Sequence, residues 1–104
     1  MNKPKIIKLD LNDCKSILEL HERLKETFDF PDYYGRNWDA FWDLLSEPDD
    51  YSVLEIIGLK DLSEQLQTDV EIMLTLLEEN KVKWDEFMKE HPSIDCRFEY
   101  QVID

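Results

Sequence analysis

A chain of 104 residues with a formal net charge of -13 at pH 7 is expected to form one small domain, spanning 1–104, with a modest core. Its hydrophobic fraction of 42% and the apolar periodicity that runs along most of its length argue against disorder, although 36% of the residues are charged. The negative charge argues against direct binding of nucleic acid or an anionic membrane and favours a basic protein partner.

In chain order, Lys5 to Leu9 carries Ile6, Ile7 and Leu9 and reads as a first strand. Ser16 and Glu19 then fit a capping box, with a helix following to about Phe28. Ile17, Leu20, His21, Leu24 and Phe28 form its inward stripe, so His21 is expected to be a partly buried structural histidine. Pro31 prevents the helix from continuing past Phe30.

The stretch from Pro31 to Ser46, PDYYGRNWDAFWDLLS, reads as loop, cap and helix. Gly35 permits the turn, Asn37 is the N-cap, and Trp38 to Ser46 has helical periodicity. Trp38, Phe41 and Leu45 make a core stripe, and Tyr34 is expected in the core as well. Asp39 and Asp43 stand one turn apart, placing like charges side by side at a small cost to the helix. Around them lie Asp29, Asp32, Glu47, Asp49 and Asp50, opposed only by Arg36. That concentration calls for a cationic partner.

Glu47 to Asp50 is a turn by composition, and Tyr51 to Ile57 is apolar enough for a strand buried on both faces, with Glu55 the exception. A short helix is expected over Leu59 to Leu66, and Thr68 to Glu71 offers a second capping box ahead of a longer helix. Val70, Met73, Leu74 and Leu77 supply its apolar face. Lys81 to Glu90 contains Trp84, Phe87 and Met88 at helical spacing, so it either lengthens this helix or forms another against it. Arg97 to Ile103 alternates as a half-exposed edge strand, with Phe98, Tyr100 and Val102 on one face. The order implies an α/β fold, a small three-stranded parallel sheet with helical crossovers.

Catalysis finds little support. His21 and His91 are far apart, and neither has Cys/His ligand spacing, so no metal or other cofactor is expected. Asp39 and Asp43 could meet the separation of a glycosidase pair, but no cleft is evident around them. Cys14 and Cys96 are expected to be free thiols, since no secretory signal is apparent and a cytosolic location is expected.

The run Phe30 to Gly35, then Asn37, then Asp39 to Asp43, resembles the barstar family of intracellular inhibitors of small microbial ribonucleases. The resemblance covers most of the chain and thins after Glu79. It implies a non-enzymatic protein, a monomer in a 1:1 complex, that plugs the basic active-site groove of a barnase-like ribonuclease. Asp43 would be the central anchor on phosphate-binding arginines, Asp39 would pair with neighbouring cations, and Tyr33 would stack on the catalytic histidine. Gly35, Asn37 and Trp42 would complete the contact, and Glu79 would add a late-helix acid. Arg36 departs from the family pattern, which has an acid there, and Glu47 to Asp50 lacks the family's glycine and tryptophan. An acidic immunity or adaptor module for a different basic protein is the alternative.

Overall fold

The structure, a computed structural model, describes residues 3–47, 51–60 and 62–103. Strand β1 spans Lys5–Asp10, β2 Ser52–Ile57 and β3 Phe98–Val102, all parallel in the order β1-β2-β3. Helices α1 (Ile17–Phe28) and α2 (Trp38–Leu45) connect the first two strands, and α3 (Glu64–Glu90) connects the last two. Parallel crossovers are right-handed as a rule, so two that advance in the same direction bring the helices to one face of the sheet, and the alternating burial along β2 agrees with this. The expected α/β architecture, a small three-stranded parallel sheet with helical crossovers, is therefore present.

That one-sided cover corrects the expectation for β2. Ser52, Leu54 and Ile56 are buried, whereas Val53, Glu55 and Ile57 alternate with them and are only half-buried. The inner face joins Leu9 to Ile56 and Ile7 to Leu54 in register, with Phe98 opposite Ser52. On the outer face Gln101 donates to Glu55 at 3.1 Å, and Ile6 and Ile103 are exposed.

Local chemistry sets the helix ends. Ser16 accepts from the Glu19 amide at 3.1 Å, while the Glu19 carboxylate reaches the Lys15 amide at 3.4 Å, one residue outside the expected reciprocal bond. At the other end of α1, Asp29 takes the left-handed conformation (φ 56°) ahead of Pro31.

The short helix expected over Leu59 to Leu66 does not form, since its described residues before Glu64 are non-helical. Gly58 explains this, because its φ of 88° and its close approach to the Leu11–Asn12 backbone turn the chain back across the end of β1. Ser63 is the true N-cap, accepting from the Leu66 amide at 3.4 Å, and Thr68 lies inside α3, so the second capping box is not a helix start. Lys81 to Glu90 lengthens this helix, which ends at a His91 cap. The turn expected at Glu47 to Asp50 falls mostly on residues 48–50, outside the described residues.

Candidate functional site

Helix α2 and the loop before it are anchored from beneath. Tyr34 is buried, and its hydroxyl lies 2.5 Å from Nδ1 of His21, which is itself only 1% exposed. Burial raises the Tyr34 phenol far above its usual range and lowers the His21 imidazole. The phenol therefore keeps its proton and the imidazole is neutral, so Tyr34 can donate to Nδ1 when the ring carries its own proton on Nε2. Trp38 packs on His21 with centroids 4.4 Å apart and donates Nε1 to Asp69 on α3 at 2.9 Å. The expectation of a core Trp38 is thus modified: it is half-buried, with a polar tie to α3.

Above this base stands the acidic surface. Asn37 accepts from the Ala40 amide at 2.7 Å as N-cap and donates to the Gly35 carbonyl at 3.1 Å. A Cβ at Gly35 would come within 3.2 Å of Asn37 Nδ2 and 3.3 Å of the Ala40 Cβ, so even alanine would crowd the cap. Tyr33 is 79% exposed and makes no ring contact among the described residues. Asp39 and Asp43 are both exposed, and among the described residues neither has a hydrogen-bond or ion-pair partner.

The two carboxylates differ in what folding gains from them. Asp39 is in the first turn, where the helix dipole favours an anion. Asp43 is near the C-terminus of α2, where the dipole disfavours one, and no basic residue sits in that turn. Among the described residues no hydrogen bond or ion pair rewards Asp43.

Trp42 faces α3, where it shares a shallow groove with Glu78, Glu79, Val82, Lys83 and Glu86. The structure thereby brings Glu79 beside α2 although the two lie far apart in sequence. Sequence reasoning missed Lys83, whose Nζ donates to the Ser46 carbonyl at 3.1 Å and lies 4.8 Å from the Trp84 ring centroid. It also missed Glu22, which receives the Arg36 guanidinium. A separate hollow of about 200 Å³, lined in part by Lys5, Ser52, Asn80, Cys96 and Arg97, contains none of the expected partner-binding residues. Among the described residues no cluster of His, Cys, Asp or Glu could hold a metal ion, and no helix is long and apolar enough to cross a membrane. Cys14 and Cys96 are free and buried.

An exposed acidic helix, a glycine-fixed loop and a three-stranded parallel sheet agree with the family model described as Barstar (barnase inhibitor), which matches residues 5–100. The chain belongs to the barstar family. A curated Bacillus subtilis (strain 168) protein named "Putative ribonuclease inhibitor YrdF" is 57% identical over 38 residues. That match covers 36% of this chain and 42% of the relative's length.

Proposed function

We propose that this barstar-family chain inhibits a small, basic, barnase-like ribonuclease by plugging its active-site groove with α2 and the preceding loop. The observation that carries this reading is Asp43: an exposed carboxylate at the wrong end of a helix dipole, beside a second carboxylate, with no intramolecular partner among the described residues. Its free energy is recovered when cationic donors arrive.

A ribonuclease groove is built from Lys, Arg and His that hold phosphates, and carboxylates on a rigid helix present acceptor oxygens to the same donors. Asp43 is the anchor and Asp39 the second acid. Tyr33, exposed and unstacked, offers a face to an aromatic or imidazole ring. Gly35 and Asn37 hold the loop close to the helix start, while Trp42 and Glu79 extend the contact along α3. The complex is 1:1 between a single-domain inhibitor and its enzyme, no cofactor takes part, and the inhibitor acts in the cytoplasm.

The test is titration of a barnase-like ribonuclease with this protein at two salt concentrations, following RNA cleavage, with Asp43→Ala alongside. Stoichiometric inhibition, association slowed by salt, and at least about tenfold weaker inhibition by the variant are expected from losing charge-assisted hydrogen bonds. Failure of the folded wild type against several such enzymes would sink this reading in favour of an immunity or adaptor role toward another basic protein.

A further inference from the structure

Arg36 is the one cation in the loop and helix that otherwise concentrate acids, and its placement is unusual in three ways. Its backbone has a φ of 53°, a left-handed conformation that a non-glycine residue adopts only at a cost. Its side chain does not project away from the loop but turns back to α1, where Nε donates to the Glu22 carboxylate. A terminal guanidinium nitrogen donates in addition to the Tyr34 carbonyl at 3.0 Å. One side chain thus ties the main chain of the loop to a neighbouring helix. Beneath the same loop, the Tyr34 side chain is bonded to His21, one residue before Glu22 on α1.

We propose that Arg36 and Glu22 form a clamp that positions the Tyr33–Asn37 loop for the partner, and that Arg36 itself makes no contact with it. This rests on the inhibitor reading above and deepens it. Because its charge is answered within the chain, Arg36 leaves the surface open to a partner that is basic throughout, with no acidic patch needed opposite the loop. Glu22 is held below its usual carboxylate range by the guanidinium, so the pair is charged on both sides at neutral pH. The Arg36 and Glu22 side chains remain 35% and 43% exposed, so water screens the attraction, and the effect of the clamp is geometric order more than stability. The planar guanidinium suits this task, because its fixed donors can hold a carboxylate and a carbonyl at once.

The experiment compares wild type with Glu22→Gln, Arg36→Gln, the double variant, and the charge-swapped pair Glu22→Arg with Arg36→Glu. Two readouts are taken: amide hydrogen exchange of 33–37 in the free protein, and association and dissociation rates with a barnase-like ribonuclease. Each single variant is expected to raise loop exchange and to speed dissociation by about fivefold, the scale of a partly exposed charge-assisted pair. The double variant should add little to either single one, and the swapped pair should restore only the part of both readouts that the ion pair supplies, because a glutamate at position 36 cannot donate to the Tyr34 carbonyl. Unchanged loop exchange in both single variants would overturn the clamp. So would tighter binding by Arg36→Gln with Glu22→Gln silent, since Arg36 would then be a charge facing the partner. Absence of inhibition by wild type would count against the inhibitor reading alone, because the exchange measurement decides the clamp without the enzyme.

Discussion

The His21 imidazole, 1% exposed on α1, shares a 2.5 Å hydrogen bond through Nδ1 with the Tyr34 hydroxyl, and Tyr34 lies between Tyr33 and Gly35 in the loop that leads into α2. A titratable core group therefore stands directly under the candidate binding surface. Three other groups bear on it. Asp69 of α3 favours the imidazolium, Arg36 disfavours it, and Glu22 neutralises much of the Arg36 charge; desolvation is the largest influence and keeps the ring neutral.

The pH dependence follows. His21 titrates in the folded protein below its unfolded value of about 6.5, so between those two pH values the unfolded chain holds more protons. Stability is full above about pH 6.5 and falls as the pH drops through the window, by at most about 1.4 kcal/mol per pH unit. Glu22, depressed by Arg36, acts at a lower pH: its contribution is present above about 4.5 and is lost as the pH falls through its folded value. Denaturant melts from pH 7.5 to 5 should show the His21 slope, and His21→Gln should flatten it. A wild-type profile already flat over that range would contradict a His21 pKa lowered by folding.

Tyr34→Phe isolates the same bond at constant pH. The ring keeps its packing against Phe30, with centroids 5.0 Å apart, but buried His21 Nδ1 loses its hydrogen-bond partner. A buried unsatisfied acceptor costs about 1–3 kcal/mol, so the unfolding midpoint should move by that amount. Equal stability of the two proteins in urea would show that water replaces the phenol.

The sheet and its helices were legible because periodicity carries through a core. The stripes of Leu20, His21 and Leu24 on α1 and of Phe41 and Leu45 on α2 are buried as their spacing implies. What failed was competition between equally good local signals. Leu59, Leu62 and Leu66 have helical spacing, and Thr68 with Glu71 has capping chemistry, yet Gly58 at positive φ and the Ser63 cap decide the start of α3. Glu55 suggested a lone exception in a doubly buried strand, but the open face is set by crossover handedness, which is invisible within β2 itself. At the candidate site the acids of α2 could be read directly. The Glu22–Arg36 and Lys83–Ser46 pairs could not, since each joins elements whose approach depends on the finished fold.

Gly58 should be intolerant of substitution. A Cβ there would sit 2.4 Å from the Asn12 amide nitrogen and 2.8 Å from the Leu11 carbonyl carbon, both backbone atoms, at a φ of 88°. Gly58→Ala should lower stability by about 1–3 kcal/mol from backbone strain alone, with the clash adding to it. Gly35→Ala offers the contrast, because its neighbours at 3.2 and 3.3 Å are side-chain atoms and its φ is not in the left-handed range. Thermal unfolding of the two variants should rank Gly58→Ala well below Gly35→Ala, and the reverse order would refute the backbone-approach argument.

Lys83 should affect folding and association in opposite directions. Its ammonium donates to the Ser46 carbonyl at the C-cap of α2 and lies over Trp84, a favourable place for a cation next to a helix C-terminus without basic residues of its own. Lys83→Met keeps the aliphatic stem and removes the charge, so stability should fall by up to about 1 kcal/mol, or roughly 5 °C in Tm for a chain of this size. The same change makes the groove beside Trp42 and Glu79 more acidic, which should speed association with a basic ribonuclease at low salt and have little effect at high salt. Lys83→Arg should leave both readouts near wild type. A variant that loses Tm and also associates more slowly would mean that the cap bond holds α2 in its binding position, and that local charge is the smaller effect.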